Sequence, residues 1–183
     1  MIAVIGAGPA GCYSAYKLAS AGEKVQVYEE HSSIGKPVQC TGLLTSEIYN
    51  IFKVDSKCVL NKISKARLYS PEGKFLELKL GKPNIVVDRT LFDRQIASMA
   101  ESAGVKINLN SKFTGISGLL EKKAVINGKP INADWIIGAD GPMSAVAKSA
   151  GLYGSRQIVI GAQARVKMKC DADCFNTYFG HGI

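Results

Sequence analysis

The sequence predicts an α/β protein whose first part is Rossmann-like and whose later part is β-rich. Three observations carry this. Ile2-Ala3-Val4-Ile5 is a short, wholly apolar strand pattern. Gly6-Ala7-Gly8-Pro9-Ala10-Gly11 follows it at once and leads into a helical pattern. Val25-Gln26-Val27-Tyr28-Glu29 then alternates as a second strand and ends in an acid. Strand, glycine-rich turn, helix and strand within 30 residues make one βαβ unit.

The elements follow in order. Pro9–Ala21 reads as the helix, because Ala15, Leu18 and Ala19 recur at helical spacing and Gly22 stands where a helix ends. Residues 31–45 are rich in Ser, Gly, Pro and Thr and read as a long loop, a class of segment that is usually functional. Residues 46–53 suit a short helix capped by Thr45 or Ser46. Ala66–Ser70 and Phe75–Leu80 flank Pro71-Glu72-Gly73 as a hairpin, and Asn84–Val87 is a further β run. Thr90–Ala103 has the apolar spacing of a helix, and Val105–Leu109 that of a strand. Residues 112–137 read as a meander ending in Trp135-Ile136-Ile137. Residues 157–168 and 175–179 read as further β segments. The expected division is a nucleotide-binding domain over 1–156, with an inserted hairpin around 62–88, and the truncated start of a β-rich substrate domain over 157–183.

Composition narrows the function. The 183 residues are 46% hydrophobic and 21% charged, as in ordinary globular protein, and no apolar run suits a membrane span. A strand pattern starting at Ile2 leaves no room for a signal or transit peptide, so a cytoplasmic location is expected. The five cysteines are scattered and form no CxxC pair, which argues against a disulfide framework and a metal site. The net charge of +8 is spread along the chain without a basic block or interleaved aromatics, so nucleic acid is not the expected partner. The same charge suits an anionic cofactor or an anionic membrane surface.

The glycine-rich turn carries the chemistry. Gly6 allows a tight turn, Gly8 lets a pyrophosphate approach the backbone, and Gly11 lets the helix pack close to the sheet. The helix N-terminus offers N–H groups and partial positive charge to the phosphates. Glu29, 23 positions after Gly6, can accept hydrogen bonds from both ribose hydroxyls of an adenosine. Glu30 competes for this role, but Glu29 shares the parity of Val25 and Val27 and stands at the strand end where ligands bind. An acid there disfavours a 2′-phosphate. A second motif, Asp134-Trp135-Ile136-Ile137-Gly138-Ala139-Asp140-Gly141, delivers Asp140 to a glycine-flanked turn with Ser144 just beyond. Taken alone it is equally an ordinary Asp-Gly turn. His31 and His181 have no recognisable partners and read as surface residues.

Taken in order, these motifs resemble the p-hydroxybenzoate hydroxylase-like class of FAD-dependent oxidoreductases. Within it, Ile34-Gly35-Lys36-Pro37-Val38-Gln39-Cys40-Thr41-Gly42 and Arg89-Thr90-Leu91-Phe92-Asp93 are similar to segments of the geranylgeranyl reductase family. Tyr178-Phe179-Gly180 resembles the strand before that family's substrate motif. The resemblance implies an extended FAD and reduction of isolated prenyl double bonds in lipids, with NAD(P)H or another reductant as electron donor. It places Ala10 and Glu29 on the pyrophosphate and adenosine ribose. It places Cys40, Thr41, Gly42 and Leu43 on the flavin side, Arg89 near the cofactor, Phe113 near the adenine, and Asp140 on FAD. By itself a lone cysteine such as Cys40 reads as a small packed residue.

The expected partner is a prenylated lipid or another hydrophobic small molecule, with peripheral membrane association. The family's later flavin and substrate motifs have no counterpart in the sequence, so a fragment is expected and no catalytic residue is assigned. The rival readings are an aromatic monooxygenase, an electron-transfer flavoprotein–quinone oxidoreductase-like protein, and a non-catalytic nucleotide-binding module. Pro37-Val38-Gln39-Cys40 argues against the first. The lack of a cluster-binding cysteine set argues against the second.

Overall fold

The computed structural model describes residues 1–118 and 123–180. The chain divides into two compact units, Met1–Pro37 with Asp93–Ile160, and Val38–Phe92 with Gly161–Ile183. His181 and part of the expected 112–137 meander lie outside the described residues.

The first unit is built on a parallel sheet. Strand β1 (Ile2–Ile5) is buried at every position, which is why its sequence is uniformly apolar rather than alternating. Helix α1 (Pro9–Ser20) starts on a proline, whose missing N–H costs nothing in a first turn. It leads to β2 (Val25–Tyr28), which pairs parallel with β1, Ile5 opposite Tyr28.

The second unit's share of the chain comes next: β3 (Leu43–Leu44), α2 (Ile48–Ile51), a 3-10 turn at Ser56–Cys58, β4 (Val59–Tyr69) and β5 (Phe75–Val87). Helix α3 (Arg89–Ser102) follows, its first residues counted with the second unit and the rest with the first. Back in the first unit, β6 (Lys106–Asn108) pairs parallel with β2. Strands β7 (Phe113–Ser117), β8 (Lys123–Ile126) and β9 (Lys129–Pro130) form an antiparallel sheet. Strand β10 (Trp135–Gly138) then pairs parallel with β1, Ile5 opposite Gly138, so the large sheet runs β10-β1-β2-β6. Helix α4 (Ala145–Ser149) closes the unit.

One core of this unit lies where the two sheets meet. Ala3, Ile5, Tyr28, Phe113, Ala124, Ile126 and Val146 form one buried cluster. Parallel strands share one direction, so the carboxyl ends of β1, β2 and β10 stand together and deliver the two glycine motifs and Glu29 to the same edge.

The second unit is a mixed sheet in the order β11-β4-β5-β3, completed by β11 (Cys174–Tyr178) parallel to β4. The Ser70–Lys74 turn joins β4 and β5, and the run expected at Asn84–Val87 is the far end of one long β5. Arg67 bridges Glu77 at 2.7 Å and Asp171 at 3.1 Å, and Lys65 reaches Asp173 at 3.2 Å, tying the turn before β11 to the hairpin.

Two local expectations are corrected here. The short helix near residue 48 has Glu47 as its N-cap, not Thr45 or Ser46. Residues 157–168, expected as a strand, carry no regular structure. Their sequence is strand-like, but no described backbone pairs with them, and Val159 is 93% exposed. A strand needs a partner for its N–H and C=O groups as well as a pattern.

Candidate functional site

The glycine turn between β1 and α1 gives its three glycines different reasons to exist. Gly6 sits at φ +100, and a Cβ there would lie 2.5 Å from the Ala139 carbonyl oxygen. Both backbone conformation and crowding exclude a side chain. A Cβ on Gly11 would lie 2.0 Å from the Gly6 carbonyl oxygen and 3.2 Å from the Ala139 Cβ, so the first turn of α1 is seated directly on the loop. Gly8 is unlike both. It has ordinary extended angles, φ −69 and ψ 176, and a Cβ there would meet nothing within 4 Å. No protein atom accounts for glycine at this position.

Gly8 is also the N-cap of α1, and no side chain caps the helix. Ala10, the first-turn residue expected on the pyrophosphate, is exposed. The opening thus has helix N–H groups that no side chain caps, which suits an anion.

Glu29 follows the last residue of β2 and turns back toward this loop. Its Oε2 accepts the Ala7 N–H at 2.7 Å. Its Oε1 accepts the His31 N–H at 3.0 Å and lies 2.6 Å from His31 Nδ1. Burial raises the Glu29 pKa, but these hydrogen bonds and the nearby imidazole outweigh burial and hold the carboxyl below its ordinary value. The backbone is held as firmly. Glu29 N–H donates to the Asn108 carbonyl, Ser111 N–H donates to that of Glu29, and Asn110 N–H donates to that of His31. Glu30, the rival acid, is exposed and pairs with Lys112 at 3.5 Å.

The reading of His31 as a partnerless surface residue is corrected: the ring is 47% exposed, yet it is joined to Glu29. The i to i+2 spacing past a strand end was the only sequence signal, and extended chain normally sends those two side chains to the same side.

The second motif stands beside the first. Ala139 N–H donates to the Ile5 carbonyl at 2.8 Å, and Ala139 supplies the atoms that crowd Gly6 and Gly11. Asp140 Oδ1 accepts the Ser144 hydroxyl at 2.6 Å, and Oδ2 accepts the Val146 N–H at 3.0 Å. Ser144 Oγ in turn accepts the Ala147 N–H at 2.9 Å. Asp140 thus organises the start of α4. Replacing Asp140 with Ala should cost about 1–2 kcal/mol, the scale of a lost cap and an unsatisfied hydroxyl. Urea unfolding midpoints will show it, and an unchanged midpoint would remove the capping role.

The other expected residues have local explanations too. In the second unit, Gly42 sits at φ +75 with its carbonyl accepting the Val87 N–H at 2.9 Å, and a Cβ there would lie 2.3 Å from the Val87 carbonyl oxygen. Cys40 Sγ accepts the Gly42 N–H at 3.4 Å, Thr41 is exposed, and Leu43 lies in β3 opposite Val86. Arg89 opens α3, whose first turn is capped by Asp88 Oδ1 accepting from Thr90 and Leu91 N–H, a cap the sequence reading missed. Phe113 is 6% exposed within the core cluster, so packing accounts for its ring. Cys12, on α1 below the turn, is buried, and burial first, then Asp93, Glu29 and Glu101, push its thiol up to about 12. It is inert at neutral pH.

The residues of the first unit that could hold a dinucleotide are those of the Gly6–Gly11 turn and Glu29. The diphosphate would lie against Gly8 and the open helix end, and the ribose against Glu29. Among the described residues no group of three His, Cys, Asp or Glu could hold a metal ion, and no helix is long and apolar enough to cross a membrane.

Comparison with known proteins finds FAD-binding relatives. A family profile described as an FAD binding domain matches residues 1–179. An uncharacterised protein from the nifH2 5′ region of Methanosarcina barkeri is 34% identical over 172 residues, covering 85% of this chain and 91% of its own. The digeranylgeranylglycerophospholipid reductase of Methanoculleus marisnigri is 32% identical over 199 residues, covering 100% of this chain and 50% of its own. A geranylgeranyl bacteriochlorophyll reductase-like crystal structure from Thermoplasma acidophilum superposes with a TM-score of 0.82 at 26% identity, covering 98% of this chain and 50% of that one. The chain thus spans half the length of the reductase and of the solved structure.

Proposed function

The chain belongs to the FAD-binding-domain family, and on that premise we propose that its first unit holds the adenosine diphosphate part of FAD in a flavoenzyme that reduces isolated double bonds of prenyl chains in lipids. The observation that carries the cofactor half of this reading is Gly8. It is a glycine with ordinary backbone angles and empty space where a side chain would stand, at the uncapped start of α1 and beside the turn that Glu29 grips. The substrate half rests on the relatives whose names describe reduction of geranylgeranyl lipids. The excess of cationic side chains, net +8, suits peripheral contact with an anionic lipid surface.

Bound FAD supplies hydride chemistry to an alkene, and this chain's own residues bind and orient it. The N–H groups at the start of α1 receive the diphosphate. Glu29, already fixed through Ala7 N–H, accepts the ribose hydroxyls with its remaining lone pairs. Asp140 sets the loop that packs on the glycine turn and so preserves its shape.

Glu29→Ala should weaken FAD binding by about 1–3 kcal/mol, the scale for losing a charged acceptor. Fluorescence titration of the full chain with FAD measures this, and equal affinities would remove Glu29 from the site. The substrate class has its own test. Flavin-loaded protein, reduced anaerobically and given a geranylgeranyl lipid, should add two hydrogens per double bond by mass spectrometry. A protein that binds FAD yet leaves the lipid unchanged would retain the cofactor assignment and lose the substrate.

A further inference from the structure

We propose that one face of the β4–β5–β11 sheet docks on an anionic lipid surface and so brings the protein to its substrate. This rests on the reading that the substrate is a prenyl lipid held in a membrane. The pairing register sorts the side chains of the sheet by face. Leu78, Ala66 and Phe175 stand in one row, and Leu76, Leu68 and Thr177 stand in the next row of the same face. Neither row holds a charge, and its large side chains are open: Leu76 is 58% exposed, and Leu78 and Phe175 are 43% exposed each. The opposite face carries the rows Glu77-Arg67-Asn176 and Phe75-Tyr69-Tyr178. Its groups satisfy one another. Arg67 is held by Glu77 and Asp171, and Tyr69 stacks on Tyr178 at 4.5 Å. The sheet is thus amphipathic across its thickness, with the polar face closed and the apolar face open, and an open apolar face of this kind marks a contact surface.

Charge decides what covers it. From Val59 to Val87 six bases stand against two acids. Lys65 and Arg67 are neutralised by Asp173, Asp171 and Glu77. Among the described residues Lys62, Lys74, Lys79 and Lys82 form no ion pair, and Glu72 is the one acid of the hairpin left outside the pairs. Lys74 stands at the turn, and Lys62 and Lys82 stand at the far end of the hairpin, so cations bracket the apolar rows along the strands. A second copy of the chain would set these cations against their like. A bilayer with anionic headgroups brings the opposite charge, and each base near it favours contact. Its fluid apolar layer takes leucine and phenylalanine without a shaped partner, while lysine stems reach out to the headgroups.

The test is co-sedimentation of the full chain with vesicles of phosphatidylcholine alone, and with vesicles of equal parts phosphatidylcholine and phosphatidylglycerol. Wild type should bind the anionic vesicles at least about tenfold more tightly, and added salt should weaken that binding. The double variant Leu76→Asp, Leu78→Asp places acids in the open rows and should lower affinity for anionic vesicles at least about tenfold. Both side chains are exposed, so its circular dichroism and FAD titration should match wild type. Lys74→Glu and Lys82→Glu should each lower vesicle affinity about fivefold or more. Wild type that binds FAD but leaves the anionic vesicles unbound overturns the proposal. So does a folded leucine variant that binds those vesicles as wild type does, or a wild-type dimer in solution that the leucine variant abolishes, since a second copy would then cover the face. Vesicle binding without reduction of a geranylgeranyl lipid would retain this surface and overturn the substrate reading beneath it.

Discussion

Gly11→Val is expected to lower the stability of the protein by about 3 kcal/mol or more, the upper end of the overpacking range. The reason is local. The first carbon of the new side chain would stand 2.0 Å from the Gly6 carbonyl oxygen and 3.2 Å from the Ala139 Cβ. Neither obstacle is a flexible side-chain tip. The Gly6 carbonyl belongs to a loop whose backbone N–H is fixed to Tyr28, and Ala139 is fixed to Ile5. Helix α1 must lift off the sheet, and the lift would uncover Cys12 and Ala15, both wholly buried on its inner face. A loss of this size in a chain this long moves a thermal midpoint down by about 6–12 °C. Differential scanning calorimetry measures it. A midpoint within a degree or two of wild type would mean that the helix is not seated on the loop.

Gly8→Val, three residues earlier, is expected to do the opposite. Its extended φ and ψ suit a β-branched residue, and its Cβ would enter open space. The cost to folding should stay within about 1 kcal/mol, the range for exchanging an N-cap that uses no side chain. FAD affinity should fall at least about tenfold, 1.4 kcal/mol, because the isopropyl group fills the space assigned to the diphosphate. The two variants form a matched pair. One weakens the fold, and the other weakens binding in a protein whose fold is kept. Calorimetry and flavin absorbance on both variants separate them. A Gly8→Val protein that retains full flavin content would move the diphosphate elsewhere.

The first 30 residues were almost fully legible because they obey local rules. Ile2–Ile5 is apolar at every position because it is a central strand, between β10 and β2, whose residues are all buried. Pro9 marks the helix start, and Glu29 falls at the end of β2, one residue beyond Tyr28. What the sequence hid is the double life of its polar groups. Asp140 reads as a cofactor residue, and both of its oxygens also start α4. Phe113 reads as an adenine neighbour, and its ring also belongs to the buried cluster that joins the two sheets. His31 looks solitary, because its one local signal is the i to i+2 spacing from Glu29 past a strand end. The strand expected at 157–168 failed for the same reason, since pattern is a property of a segment while pairing needs a second one.

The register of β1 has a consequence for synthesis of the chain. Ile2 lies beside Val25, which emerges soon after it, but its other neighbour is Trp135. At roughly 5–20 residues per second, the ribosome delivers that partner on the order of ten seconds later. In the interval the most apolar strand of the protein has one bare edge, open to other nascent chains. Lys65 of β4 waits similarly for Cys174 of β11. Closure of the nucleotide loop therefore waits on a strand made much later, and chaperones would meet that loop with one wall of it, Ala139, still unmade.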